Sequence, residues 1–468
     1  MTQTVGVDSV GETAQAGGYP AEAEVAAVRE DARFQRAVTA YRFWYPTVSV
    51  EGIFQGNRDI GIEDGATVGI AATGPRQVGF TLNSDTPYGA AAIDLRGGPV
   101  VIELPPGPYI GLVDDRHQRW VLDMGIPGPD GGKGGRHLVL PPGHTGDVPE
   151  GYYAARSNTN INLLALRALP VGGDMGKALE ALRAVKVYPL DRPGDLMGYT
   201  DITERASDNS CLKWEDDLEF WRVLNRVVNE EPVTDEFRPM YGLLTALGIG
   251  KGQKFDPDEA TARLLERAAR AGLDQMRAAA FASDRPDRIA WPDRRWEWVG
   301  LVADDPNFET PEGLDLDARD RWFYQAIVAS PAMFRRVEGA GSLYWLGHRD
   351  ADGEYLDGGT DYRLTLPAPV PGKLFWSVTA YDARTRSQVQ TDQDQGALRS
   401  LVELAGADPA APVDLYFGPN PPAGAEDRWL KTVPGRGWFA YIRIYGPEAA
   451  AFDGTWKPGD LRRVPADR

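Results

Sequence analysis

The sequence predicts an α+β protein, mainly β, with two strand-rich units on either side of a helical middle segment. Three observations carry this. Short apolar runs broken by Gly and Pro fill about residues 60–170 and return after Ala340. Between them, apolar residues recur at three-and-four spacing over 177–185, 218–228, 257–281 and 319–337, the period of helices. The chain's 468 residues also exceed the size at which one hydrophobic core keeps growing.

Taken in order, residues 1–20 are polar and rich in small side chains, and are read as disordered. They lack the basic start and apolar centre of a secretory signal. Residues 21–190 form the first unit. A helix over 21–45 carries apolar and aromatic residues at helical spacing, including Val25, Val28, Phe34, Val38, Tyr41 and Tyr45, and strand-length runs such as 100–104 and 109–113 follow. Residues 191–338 are helical; Asp256-Pro257-Asp258-Glu259 puts capping and acidic groups at the positive end of one helix. Residues 339–468 return to strands, separated by turns at Asp352-Gly353, Pro371-Gly372, Pro434-Gly435 and Gly446-Pro447.

Composition narrows the function. The net charge of −18 repels phosphate backbones and anionic lipid surfaces, so neither nucleic acid nor a membrane is an expected partner. No run of about 18–20 apolar residues occurs. Cys211 is the single cysteine, which rules out an internal disulfide and suits a reducing cytoplasm. The four histidines, His117, His137, His144 and His348, show no metal-face spacing. No cofactor is predicted, though a divalent metal held by oxygen ligands alone stays open, as does the oligomeric state. GxSxG and GxxxxGK[ST] motifs are absent, so neither a hydrolase elbow nor a phosphate-wrapping loop is expected.

Site-like residues cluster in three places. The aromatic run ending at Trp376 and Tyr381 feeds into Arg384, Arg386, Gln390 and Asp392, the layout of a rigid strand carrying polar groups onto a loop. An Arg386–Asp392 ion pair that merely closes the loop is the structural alternative. In Asn83-Ser84-Asp85-Thr86-Pro87-Tyr88, Asp85 either caps backbone in a turn or sits beside Tyr88 as a desolvated acid. In the polar run 114–120, strand alternation would place His117 with Asp115 and Arg119 on one face and Arg116 on the other, as a pocket wall or a solvated edge. The glycine turn at 350–358 lacks the glutamate and helices of a calcium loop, and is read as a hairpin.

From Tyr344 onward, Asp350-Ala351-Asp352-Gly353, Phe375-Trp376-Ser377, Arg384-Thr385-Arg386-Ser387, Gln390-Thr391-Asp392, Tyr416-Phe417-Gly418-Pro419, Arg443-Ile444-Tyr445-Gly446-Pro447 and Thr455-Trp456-Lys457-Pro458 resemble the domain of unknown function numbered 1214. Upstream, Asn83 to Tyr88, Gly128-Pro129 and Ser157-Asn158-Thr159-Asn160 are similar to its companion, numbered 1254. The resemblance implies two β-sandwich domains of jelly-roll type, and brings no activity with it.

The residues therefore point to an enzyme working by acid–base chemistry in a cleft between the two β-rich units. Asp85, Arg386 and Asp392 are the expected catalytic groups, with Tyr88, Arg116, His117, Trp376, Arg384 and Gln390 binding the substrate. Hydrolysis, elimination or isomerisation of a small organic molecule fits. Asp85 and Asp392 facing each other would specify a glycosidic substrate, their separation choosing inversion or retention. The competing expectation is a non-catalytic small-molecule or glycan-binding protein.

Overall fold

A computed structural model describes residues 15–16, 19–302, 305–339 and 341–465. Most of the N-terminal stretch expected to be disordered lies outside the described residues. Helix and strand occupy comparable shares of the chain, so the fold is mixed α+β rather than mainly β. No described helix is long and apolar enough to cross a membrane.

Much of the added helix comes from one element, Glu22–Asp59. The sequence pattern ends it near Tyr45, because Pro46 has no N–H to donate and Thr47, Val48, Val50, Gly52 and Gly56 are poor helix formers. The helix nevertheless continues, and residues 43–54 are buried all round. Packing on every side outweighs local propensity there. The polar groups this brings inside are partnered: the Glu51 carboxylate accepts from Arg116 Nε at 2.7 Å and Arg226 Nη2 at 3.0 Å.

Gly52 and Gly56 sit on this helix because the backbone of residues 208–211 crosses against it. A Cβ at Gly56 would overlap the Asp208 carbonyl, and one at Gly52 would overlap Ser210. Alanine would gain about 1 kcal/mol in helix propensity but must push backbone aside. The net expectation for Gly56→Ala is a loss of about 1–3 kcal/mol, read by chemical denaturation; unchanged or raised stability would contradict the close crossing.

The N-terminal unit has a four-stranded sheet, in the order Tyr153–Arg156, Gly135–Leu140, Val100–Leu104, Lys186–Pro189. Its six-stranded sheet runs Gly198–Asp201, Thr67–Ala71, Tyr88–Asp94, Ile161–Ala168, Tyr109–Asp115, Trp120–Gly125. One core joins Val100, Ile102, Val139 and Val187 of the first to Ile70, Ile93, Val113 and Leu164 of the second.

The C-terminal unit repeats the plan. A five-stranded sheet runs Glu297–Trp298, Ser342–Gly347, Trp438–Pro447, Gly372–Asp382, Ala397–Arg399, and a four-stranded sheet runs Trp429–Lys431, Val413–Gly418, Tyr362–Leu366, Arg462–Arg463. Trp345, Val378, Ile442 and Ile444 of one share a core with Leu364, Leu366, Leu415 and Phe417 of the other. Strand alternation sends Tyr381 and Tyr441 to the opposite face of the five-stranded sheet, where they join a core with the long helix, Leu218–Glu230, Glu259–Phe281 and Leu316–Gln325. The helices thus pack between the units rather than outside them.

Candidate functional site

The six-stranded sheet also has two faces, and the one turned from its core becomes the floor of a cavity. The pairing register aligns Ala71, Tyr88, Arg167 and Ile110 in one row across four strands. The next row on the same face is Gly69, Ala90, Ala165, Leu112 and Asp123. Apart from Tyr88, Arg167 and Asp123 the side chains here are small or apolar. Opposite, the C-terminal sheet contributes Ser342 paired with Tyr445, and Tyr344 paired with Arg443. The long helix (Ile53, Asn57) and the 326–330 segment complete the walls. The cavity volume is about 210 Å3, many times the roughly 10–15 Å3 one water requires.

A polar pole forms where the two sheets meet. Tyr445 donates its phenol proton to Asp85 Oδ2 at 2.9 Å and accepts from Arg167 Nη2 at 2.9 Å. Ser377 Oγ donates to the same carboxylate oxygen at 2.8 Å, while Asp85 Oδ1 is buried with no hydrogen-bond partner among the described residues. Arg167 Nε donates to Thr86 Oγ1 at 2.7 Å, and the guanidinium lies 5.1 Å from the Tyr88 ring centre. Tyr88 accepts from Asn83 Nδ2 at 2.8 Å. Arg443 donates to Thr379 Oγ1 and the Thr81 carbonyl, both at 3.0 Å, and its Nε has no partner among the described residues.

Burial drives the Tyr445 phenol well above its ordinary pKa; Arg167 pulls it down and Asp85 pushes it further up. The phenol therefore keeps its proton at neutral pH. Burial works against the Arg443 cation, but Tyr381, Tyr445 and Asp85 outweigh it, so Arg443 stays above the usual arginine value. Arg167 follows the same pattern, with Tyr445 and Tyr88 overcoming burial. At a distance from this pole, about 10 Å across the sheet and about 7 Å along it by strand spacing, Asp123 also lines the cavity. Burial lifts it to about 6, hydrogen bonds from Trp120 and Ser330 working against the rise.

The residues expected from sequence divide sharply. Asp85 and Tyr88 belong to this site: Tyr88 lines the cavity and Asp85 lies one hydrogen bond behind its wall, bonded to side chains of the other unit. The backbone-capping role in the turn falls instead to Asn83, whose Oδ1 accepts from the Asp85 amide at 3.0 Å. The other seven lie outside the lining. Arg386 is fully buried, its guanidinium held by Glu215 at 2.6 Å and by Tyr45 at 3.0 Å, so it is part of the packing between helices and sheet. Asp392 is exposed on the surface against Lys431 and faces no second carboxylate in the cavity, which removes the geometric basis for a glycosidic pair with Asp85. Arg384 and Gln390 are exposed, the latter donating to the Pro75 carbonyl at 2.8 Å. Trp376 packs on the core between the C-terminal sheets, because alternation turns it away from its neighbour Ser377.

Residues 116–119 form a hairpin turn rather than continuing the strand. Asp115 Oδ1 accepts from the His117 and Arg119 amides, and Gln118 takes φ 56°. Arg116 is buried among Glu51, Glu230 and Glu231. His117 bonds Thr47 at 3.0 Å; burial, then Arg116, pushes its pKa down to about 3, leaving it neutral. Asp350 in the glycine turn accepts from the Asp352 and Glu354 amides and pairs with Arg463. No three His, Cys, Asp or Glu side chains among the described residues converge as a metal-binding set.

Sequence reading missed Arg167, Tyr344, Arg443, Tyr445 and Asp123. A signal existed for Arg167: it is the one charge in the apolar strand Ile161–Ala168. Arg443 and Tyr445 stood inside a family motif with no chemistry attached to them.

Fold and site together define a two-unit α+β protein with a cavity between its sheets. Two segments of the chain match families without a known role: residues 70–189 match the protein of unknown function DUF1254, and residues 341–449 the protein of unknown function DUF1214. Its fold is similar to that of the VPA0106 protein from Vibrio parahaemolyticus, at 18% identity and TM-score 0.57, covering 92% of this chain and 100% of that one. An uncharacterized protein from Burkholderia cenocepacia is similar at 13% identity and TM-score 0.41, covering 94% of this chain and 97% of that one. No curated protein matches the chain.

Proposed function

We propose that this protein is an enzyme that carries out acid–base chemistry on a small organic molecule in the cavity between its two β-rich units, which we take as jelly-roll-like sandwiches. A cytoplasmic setting belongs to the same reading, supported by the unpaired Cys211. The observation that carries it is the Asp85–Tyr445–Arg167 chain at the cavity wall. Tyr445 is the proton donor: its phenol turns its single proton from Asp85 to an oxygen or nitrogen of the bound molecule, Arg167 holds the phenolate left behind, and a proton that the Asp85 carboxylate takes up from water passes to the phenolate and restores the phenol. Elimination, hydrolysis and isomerisation all use such a step.

A binding protein would present tryptophans on a shallow groove. Here the polar groups converge on one cavity from both units, and the Asp85 carboxylate is bonded to hydroxyls rather than to backbone, which favours the enzyme reading. Asp123 is the rival proton donor, since its pKa of about 6 also suits work near neutrality. A turnover screen over small carbonyl, ester, enol and hydroxy compounds would compare wild type with folded Tyr445→Phe and Asp123→Asn. Turnover lost in Tyr445→Phe and kept in Asp123→Asn supports the assignment. The reverse result moves the chemistry to Asp123, and turnover kept in both removes the site.

A further inference from the structure

Charge bookkeeping at the polar pole leaves a positive remainder, Asp123 standing apart from it about 10 Å across the sheet and about 7 Å along it. Arg167 and Arg443 both line the cavity, and neither has a carboxylate within ion-pair distance among the described residues. By contrast Arg116, Arg321 and Arg386, buried elsewhere, each meet a glutamate. The carboxyl close to both is Asp85, reached through Tyr445. Even counted as a full negative charge it balances one guanidinium and leaves the other. A buried charge without a counter-charge is costly, and hydrogen-bonding capacity is spare at the same place. Arg167 makes no hydrogen bond through Nη1 among the described residues, and Arg443 none through Nε. Next to them Ser342 and Tyr344 present a pair of hydroxyls 2.5 Å apart. Beyond this pole the lining turns apolar at Ile110, Leu112, Leu163, Ala165 and Ile327.

We infer that the cavity takes an organic monoanion: a carboxylate seated against Arg167 and Arg443, with an apolar chain or ring laid along the floor of the six-stranded sheet. The planar guanidinium suits the two oxygens of a carboxylate, and one unit of unbalanced charge at the pole, with the Asp123 carboxyl further along the same cavity, selects a monoanion over a phosphate dianion. This rests on the reading of the cavity as the working site and names the class of molecule it works on.

The test is binding to the full chain, without any need for turnover. Hexanoate and benzoate are compared with hexanamide, benzamide and phenyl phosphate by thermal shift and calorimetry, on wild type, Arg167→Met and Arg443→Met. The expected result is stabilisation by both carboxylates, affinity at least ten-fold weaker for the matching amides, and a loss of at least ten-fold in either variant. Arg167→Lys serves where Arg167→Met does not fold, and is expected to retain part of the affinity. Amides binding as well as carboxylates, phenyl phosphate binding more tightly than benzoate, or no binding of either carboxylate at millimolar concentration would each overturn the inference. Carboxylates that bind without any turnover would leave it standing while sinking the catalytic reading; turnover confined to neutral compounds would do the opposite.

Discussion

Arg386→Ala is expected to cost about 3–5 kcal/mol of stability, enough to unfold a marginal protein. The guanidinium is fully buried and meets the Glu215 carboxylate, the Tyr45 hydroxyl and the Tyr324 carbonyl, with the rings of Phe80 and Tyr324 lying 4.3 and 4.4 Å away. Removing it strands Glu215, which is itself 7% exposed. The penalty is mainly that of the orphaned carboxylate, so the pair replacement Arg386→Met with Glu215→Met is expected to recover most of the loss. Urea denaturation of the two single variants and the double variant forms a cycle that isolates the coupling. A folded Arg386→Ala protein of near-normal stability, inactive towards a substrate that wild type turns over, would restore the catalytic role the sequence suggests for this residue.

Why Arg386 misleads is a matter of what sequence spacing encodes. The period of a strand tells which residues share a face, and it correctly separates Ser377 and Thr379 from Trp376 and Val378. It does not tell what lies opposite that face. Arg386 follows the strand Gly372–Asp382 in a loop at φ 55°, and its partner Glu215 is 171 positions away, in a stretch that carries no recognisable pattern. The alternation expected through Asp115, His117 and Arg119 fails for a local reason, because Asp115 caps the turn that ends the strand. The two strand-rich units and the helices between them were legible because each rests on periodicity, whereas turn chemistry alone left Asp85 open between a backbone cap, the role Asn83 takes, and a place beside Tyr88. The continuation of the first helix past Pro46 was not, since long-range burial of residues 43–54 overrides a weak local signal. Arg167 became a cavity residue only through the register that puts it beside Tyr88 and across from Tyr445.

Tyr445→Phe is expected to lower kcat by roughly 10²- to 10⁴-fold, the usual worth of a positioned proton donor, while leaving substrate KM within a few-fold. The substitution keeps the ring stacked on Phe375, whose centre lies 4.1 Å away, and removes only the hydroxyl that joins Asp85 to Arg167. Ser377 still donates to Asp85 and Thr86 still accepts from Arg167, so the stability loss should stay near 1–2 kcal/mol. A purely structural hydroxyl would show that stability loss without the split between kcat and KM. Asp85→Asn separates the roles further: the amide can still accept from Tyr445 but cannot carry the proton back. It should therefore slow turnover and, by removing the charge that offsets one of the two guanidiniums, strengthen rather than weaken anion binding. An Asp85→Asn protein with wild-type turnover across the pH range would mean that the carboxylate only joins the two units.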